Sequence, residues 1–317
     1  MESSIAIAKS LFKHNKFQEA INTCNIILST DNNSIEAIKL IAKSLLATRK
    51  IEDARSYLNQ ALNIQPDDCE LIKDLGNTYQ AIGDDNTAKN YYQKAIAINS
   101  SYAPALTNLG SIELNKGNKD EALFLSIKAT ESDPQLAPAW GNLAKCYLQF
   151  GKEKEAEIAC VKAIELNPNL FNSHFLMGSI LLAQKKLKEA EQPLRKTIAL
   201  NPDFFQAHLS LGAVLKELGQ LEAAELSTRK SIELNPNLFD SHFLMGRILI
   251  EQNKLQEAEQ ALRQTIELKP DFYKAHSILG ALLGELGNPE KAEISTRKAI
   301  ELNPDFAYAH SNLGTIL

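Results

Sequence analysis

The stretch WGNLAKCYLQFGKEKEAEIACVKAIELNP, residues 140–168, holds two amphipathic segments with a glycine between them. Trp140, Leu143, Ala144, Tyr147 and Leu148 fall at the i, i+3, i+4 spacing of one helical face, and Gly151 interrupts the run. A second helix follows, carrying Ala156 and Cys160 on its apolar side. Asn167-Pro168 closes it, because proline has no N–H with which to continue a helix. The stretch therefore reads as one helical hairpin.

Working outward, the same hairpin recurs. Pro66, Pro134, Pro168, Pro202, Pro236, Pro270 and Pro304 lie on one 34-residue grid, with Ser100 in the single gap. Small residues follow it at Ala8, Ala42, Gly76, Gly110, Ala144, Gly178, Gly212, Gly246, Gly280 and Gly314, where they let paired helices approach closely. Gly83, Gly117, Gly219 and Gly287 repeat the Gly151 position, and Asn15 and Asn253 substitute there; both types accept the left-handed conformation that ends a helix. The full periods are 1–34, 35–68, 69–102, 103–136, 137–170, 171–204, 205–238, 239–272 and 273–306, with a partial one over 307–317. Phe171–Phe204 and Phe239–Phe272 agree at 24 of 34 positions, so a block of two periods reads as duplicated.

Composition narrows the function classes. The 317 residues are 44% hydrophobic, enough apolar material to exclude wholesale disorder. A net charge of −5 supplies no global basic field toward nucleic acid or anionic lipid. No run approaches the roughly 18 apolar residues of a membrane span. Cys24, Cys69, Cys146 and Cys160 form no Cys-x-x-Cys pair and no disulfide framework, although Cys146 and Cys160 fall on opposing helices of one period. Met1-Glu2-Ser3-Ser4 carries acid where a signal peptide carries base, and the expectation is a cytoplasmic protein.

These residues resemble the tetratricopeptide repeat, whose signature is Trp-x2-Leu-Gly-x2-Tyr, then Ala-x3-Phe, then Pro. The fifth period supplies Trp140, Leu143, Ala144 for Gly, Tyr147, Ala156, Cys160 for Phe, and Pro168; the third supplies Leu75, Gly76, Tyr79, Ala88 and Tyr92. The later periods resemble long bacterial arrays of such repeats, and the arm of O-linked N-acetylglucosamine transferase. The resemblance implies an all-α fold, a single right-handed solenoid over 1–317 with the first helix of each hairpin on the inner face. It also implies a protein or peptide partner bound along that concave face. The alternative it implies is the recognition arm of a larger glycosyltransferase or sulfotransferase whose catalytic domain follows residue 317.

Chemistry is scarce. No Gly-x-Gly-x-x-Gly, Walker loop, His-Glu-x-x-His or Gly-x-Ser-x-Gly occurs, so neither an enzyme, a cofactor nor a metal is expected. His174, His208, His242, His276 and His310 occupy one repeat position. Stacked helices sit about 8–10 Å apart, too far for neighbouring imidazoles to share one zinc ion, so these rings read as packing groups with a hydrogen bond. The doublets Leu170-Phe171, Phe204-Phe205, Leu238-Phe239 and Phe272-Tyr273 read as staples fixing each loop to the next first helix.

The inner-face positions that the resemblance implies give Lys9, Lys13, Lys39, Lys43 and Lys73 against Glu2, Glu36 and Glu70 in the first periods. Further on they give Phe175, Leu182, Leu209, Phe243 and Ile250, with Lys216 and Arg247 among them. The expected groove is lysine-rich at one end and apolar beyond, suited to a peptide with acidic and apolar parts. Lys73, Asn77 and Asn108 match the start of the family's carboxylate clamp, but Pro138 and Asn142 replace its remaining cations. Asn108, Asn142 and Asn312 give only fragments of a backbone-reading asparagine ladder, broken at Asp74, Leu176, Ser210, Leu244 and Ile278. The half period ending Leu313-Gly314-Thr315-Ile316-Leu317 lacks a polar capping helix. It carries the expectations of a fragment boundary and of weak self-association through that end.

Overall fold

The computed structural model describes residues 2–316, with side chains from Ser4; Leu317 and the Glu2 side chain lie outside the described residues. All regular elements among the described residues are α-helices. The chain divides into two compact units, Met1–Leu166 and Asn167–Leu317. The first unit contains α1 (Glu2–Lys13), α2 (Phe17–Thr30), α3 (Ile35–Ala47), α4 (Ile51–Ile64), α5 (Cys69–Gln80), α6 (Asp85–Ile98), α7 (Ala103–Asn115), α8 (Lys119–Ser132), α9 (Ala137–Gln149) and α10 (Glu153–Leu166). The second contains α11 (Phe171–Ala183), α12 (Leu187–Leu200), α13 (Phe205–Glu217), α14 (Leu221–Leu234), α15 (Phe239–Glu251), α16 (Leu255–Leu268), α17 (Tyr273–Glu285), α18 (Pro289–Leu302) and α19 (Ala307–Ile316). Odd-numbered helices are the first of each hairpin and even-numbered helices the second, in register with the 34-residue grid.

The turn inside each hairpin needs one left-handed residue. Gly83, Gly117, Gly151, Gly219 and Gly287 supply it, and Asn15, Arg49, Lys185 and Asn253 adopt the same conformation at φ between 58° and 60°. The next residue then donates its N–H back to a helix carbonyl, as in Asp84 to Tyr79 at 3.0 Å and Lys50 to Leu45 at 2.9 Å. These bonds satisfy carbonyls that the helix end leaves open.

Packing follows the small-residue grid. Tyr92 is fully buried over Gly76, in a cluster with Ile72, Leu106 and Ile112. A Cβ on Gly76 would stand 2.7 Å from Tyr92 Cε1. In the second unit Leu194 and Leu262 cover Gly178 and Gly246, and Thr228 and Thr296 cover Gly212 and Gly280. Within each unit successive first helices also touch directly: α1 with α3 and α7 with α9, then α11 with α13, α13 with α15 and α17 with α19. Each unit thereby presents a face made of first helices.

No disulfide joins any of the four cysteines. Burial pushes the Cys24 thiol up to about 11. Cys146 Sγ lies 3.5 Å from Ser126 Oγ.

Candidate functional site

In the first unit three of the lysines expected on the inner face, Lys9, Lys39 and Lys43, reach across toward the next first helix. Lys9 Nζ meets Glu36 Oε2 at 2.8 Å, Lys43 meets Glu70 at 2.7 Å, and Lys39 meets Asp68 at 2.5 Å and Glu70 at 3.5 Å. Lys73 pairs with Asp74. Asp68 is also the N-cap of α5, its Oδ1 accepting the backbone N–H of Glu70 at 2.9 Å and of Leu71 at 3.1 Å. Burial alone raises the Asp68 carboxyl, yet Lys39 and these N–H donors outweigh it and hold the group below its ordinary range. Glu70 is lowered likewise, burial being overcome by Lys43, Lys39 and Lys73. Burial opposes the Lys39 ammonium, and the bonds to Asp68 and Glu70 carry it above its usual value. The charges of Lys9, Lys39, Lys43 and Lys73 are met within the chain.

The asparagines join the same network. Asn77 donates to Asp74 at 3.3 Å, while its Oδ1 accepts from Asn108 at 2.8 Å and from Tyr92 Oη at 2.8 Å. Tyr92 Oη is also 2.9 Å from Gln80 Oε1. Asn142 donates to the Thr107 carbonyl at 2.8 Å, and Asn312 repeats that bond with Ser277 at 3.2 Å. These amides tie adjacent first helices together.

In the second unit the staple residues behave differently from expectation. Phe204 turns back, its ring 5.3 Å from Phe171 and 4.9 Å from Phe175 in T-shaped contacts, and Phe272 repeats this with Phe239 and Phe243. Phe204 and Phe272 each clasp the first helix of their own repeat, because edge-to-face pairing with two rings is available there. Phe175, Leu209 and Phe243 are half-buried.

Arg247 lines a cavity of about 200 Å³ between α15, α17 and α19, walled by Ile250, Ile278 and Leu282, with Glu251, Glu285 and Tyr308 at its rim. Phe175, Leu209 and Phe243 do not line it. Lys216, almost fully buried, joins Glu251 at 2.6 Å and Glu217 at 3.2 Å, and Arg247 approaches Glu217 at 3.6 Å. The carboxylates Glu217, Glu251 and Glu285 and the ring of Tyr308 were not singled out from sequence. Glutamate at the same place in three successive periods is the signal that could have found them.

The shared histidine position is occupied in one way throughout. Nε2 of His174, His208, His242, His276 and His310 lies 2.9, 2.8, 2.8, 2.9 and 2.7 Å from the carbonyl oxygen six residues earlier, in each case that of the grid proline. Among the described residues no group of three or more His, Cys, Asp or Glu is placed to hold a metal. Nor is any helix among them long and apolar enough to cross a membrane.

Tandem helical hairpins in one register, bonded first helix to first helix, define an all-α helical-repeat protein. The chain belongs to the tetratricopeptide repeat family: the repeat-family model for the Cilia and flagella-associated protein 70 C-terminal domain matches residues 70–277, and two models described as tetratricopeptide repeat match residues 11–76 and 273–306. Among solved structures, a chain of the APC/C hetero-tetramer Cut9–Hcn1 superposes with a TM-score of 0.70 at 18% identity, over 95% of this chain. This chain spans 59% of that one's length. PilF of Pseudomonas aeruginosa matches with a TM-score of 0.61 at 23% identity, over 67% of this chain and 97% of its own. YrrB, described as a TPR protein with an unusual peptide-binding site, matches with a TM-score of 0.53 at 25% identity, over 59% of this chain and 96% of its own. Comparison with curated proteins found no match.

Proposed function

We propose that this chain is a non-catalytic scaffold that holds a peptide or protein partner against its first-helix face, in the cytoplasm. The observation that carries the reading is the cavity between α15, α17 and α19, where apolar walls from α15 and α17 meet charged residues and the ring of Tyr308. Surfaces of that kind mark interaction sites on soluble proteins. The likeness to YrrB, whose description includes a peptide-binding site, supports it. In this reading Phe175, Leu209 and Phe243 form the apolar part of the second unit's first-helix face, with Arg247 as a cation among them. In the first unit Lys39, Lys43, Lys73, Asn77, Asn108 and Asn142 form the polar part, where an acidic ligand competes with Asp68, Glu70 and Asp74.

Photo-crosslinking tests the choice of face. Benzoylphenylalanine placed at 209, on a first helix, should capture a bound peptide. The same group at 226, where Leu226 is 72% exposed on a second helix, should not. Capture only from 226 would reject the first-helix face.

A further inference from the structure

Glu285 stands at the rim of the cavity between α15, α17 and α19 and also lines an adjoining space of about 460 Å³ together with Gly284 and Tyr308. Its equivalents one and two repeats earlier, Glu251 and Glu217, both have cations: Lys216 for the first, Lys216 and Arg247 for the second. The repeat register shows why Glu285 has none. Lys216 reaches Glu251 from the preceding first helix, and one period later that position is Ile250. Lys216 also precedes Glu217 in sequence, and before Glu285 the residue is Gly284. Arg247 reaches Glu217 from the following first helix, and the residue so placed for Glu285 is Thr315. Each position that holds a cation for its counterparts is uncharged, and Glu285 forms no ion pair among the described residues.

Glu285 is exposed, and the cavity beside it has apolar walls. Ile250, Ile278 and Leu282 wall the cavity, and Tyr308, 52% exposed, borders both spaces. At about 200 Å³ the cavity falls below the roughly 300–1,000 Å³ of small-molecule pockets, a volume that suits one long side chain. A cation seated at Glu285 gains a charge-assisted hydrogen bond and lies beside an aromatic face that attracts it. Arg247, the one cation on the cavity wall, is turned to Glu217.

Resting on the first-helix reading, we infer that this site takes a basic-apolar peptide segment: a large apolar side chain fills the cavity against Ile250, Ile278 and Leu282, and a neighbouring lysine or arginine sits in the adjoining space between Glu285 and Tyr308. The partner supplies the cation that Lys216 supplies to Glu251.

The test is selection from a random dodecapeptide phage library on the immobilised full chain, then fluorescence anisotropy with the selected peptides. Enriched peptides should carry Lys or Arg beside Leu, Ile or Phe. Glu285→Gln should weaken them about tenfold, the scale of one charge-assisted bond. Ile250→Lys, which restores the internal cation, should weaken them at least as much, whereas Ile250→Met should not. Circular dichroism checks that each variant keeps its helicity. Peptides without a cation, peptides with an acidic residue seated on Arg247 instead, or affinities indifferent to Glu285→Gln would overturn this inference and leave the first-helix reading standing. No enrichment at all would overturn both.

Discussion

Trp140 donates its indole N–H to the carbonyl oxygen of Pro134 at 2.9 Å, the same bond that five histidines make to their own grid prolines in other repeats. Two chemically different rings are interchangeable here because the position needs a flat side chain with a donor at its far edge. The bond pins the loop that ends one repeat to the first helix of the next. For histidine it requires a proton on Nε2, which one neutral tautomer and the imidazolium both provide.

His242→Phe should therefore lower stability by about 1 kcal/mol, the net worth of a neutral hydrogen bond. His242→Trp should cost much less, since Trp140 already solves the same geometry. Urea unfolding monitored by helicity separates the two. Equal losses in both variants would show that ring volume, not the donor, matters at this position.

Arg49 and Lys185 hold left-handed backbone at φ 59° and 58°, where glycine serves in five other hairpins. A side-chain-bearing residue there costs roughly 1–2 kcal/mol relative to its right-handed form. Arg49→Gly and Lys185→Gly should each raise the unfolding midpoint. Gly219→Ala should lower it, although its Cβ would meet nothing within 4 Å, because the strain is in the backbone alone. A neutral result for all three would mean that these turns relax without strain.

The hairpin period, the turn positions at Gly83 or Asn253 and the packing role of the histidines are legible in the sequence, because each is a local signal repeated many times. Lys185 is not: it sits in Gln184-Lys185-Lys186, with no glycine or asparagine to mark the turn, and the tertiary packing of α11 on α12 imposes its φ. The ion pairs are also hidden. Lys39 and Asp68 lie 29 residues apart, and their meeting depends on how one first helix lies against the next. Reading composition face by face counts the lysines as available. The geometry pairs Lys9, Lys39, Lys43 and Lys73, and in the other unit it leaves Glu285 without an ion pair among the described residues.

Gly76 and Tyr92 should be energetically coupled. A methyl on Gly76 collides with the rigid ring of Tyr92, whose hydroxyl is held by Asn77 and Gln80, so Gly76→Ala should cost about 1–3 kcal/mol as overpacking. The fifth repeat carries Ala144 and Cys160 at the matching places, both fully buried. Tyr92→Cys alone leaves a void and unpaired polar partners. The double variant should then be less damaged than the sum of the two singles by about 1 kcal/mol or more, as contacting residues couple on that scale. Strict additivity in denaturant melts would contradict the packing rule.

Acid should loosen the first unit through Asp68 and Glu70. Both carboxyls are held below their ordinary range in the folded chain, so they contribute stability above their unfolded pKa that is lost as pH falls through the lowered folded values. Lys39 is raised, so its contribution is complete below its unfolded pKa and fades only as pH climbs through the higher folded value. The network is therefore intact at neutral pH and weakens on the acid side, starting at about pH 5, where unfolded carboxyls begin to protonate, and ending as pH falls through the lowered folded values. Lys39→Met removes the cation shared by Asp68 and Glu70. It should lower stability at neutral pH and flatten the acid limb, with the two curves converging as pH falls. Raising ionic strength at neutral pH should affect this network less than the exposed Lys9–Glu36 pair, because half-buried charges are screened less. The measurement is urea unfolding from pH 2.5 to 8 for both chains, with hydrogen exchange on α3 and α5 to localise the loss. Parallel curves, equally separated at every pH, would show that Lys39 acts through its methylene stem and not through its charge.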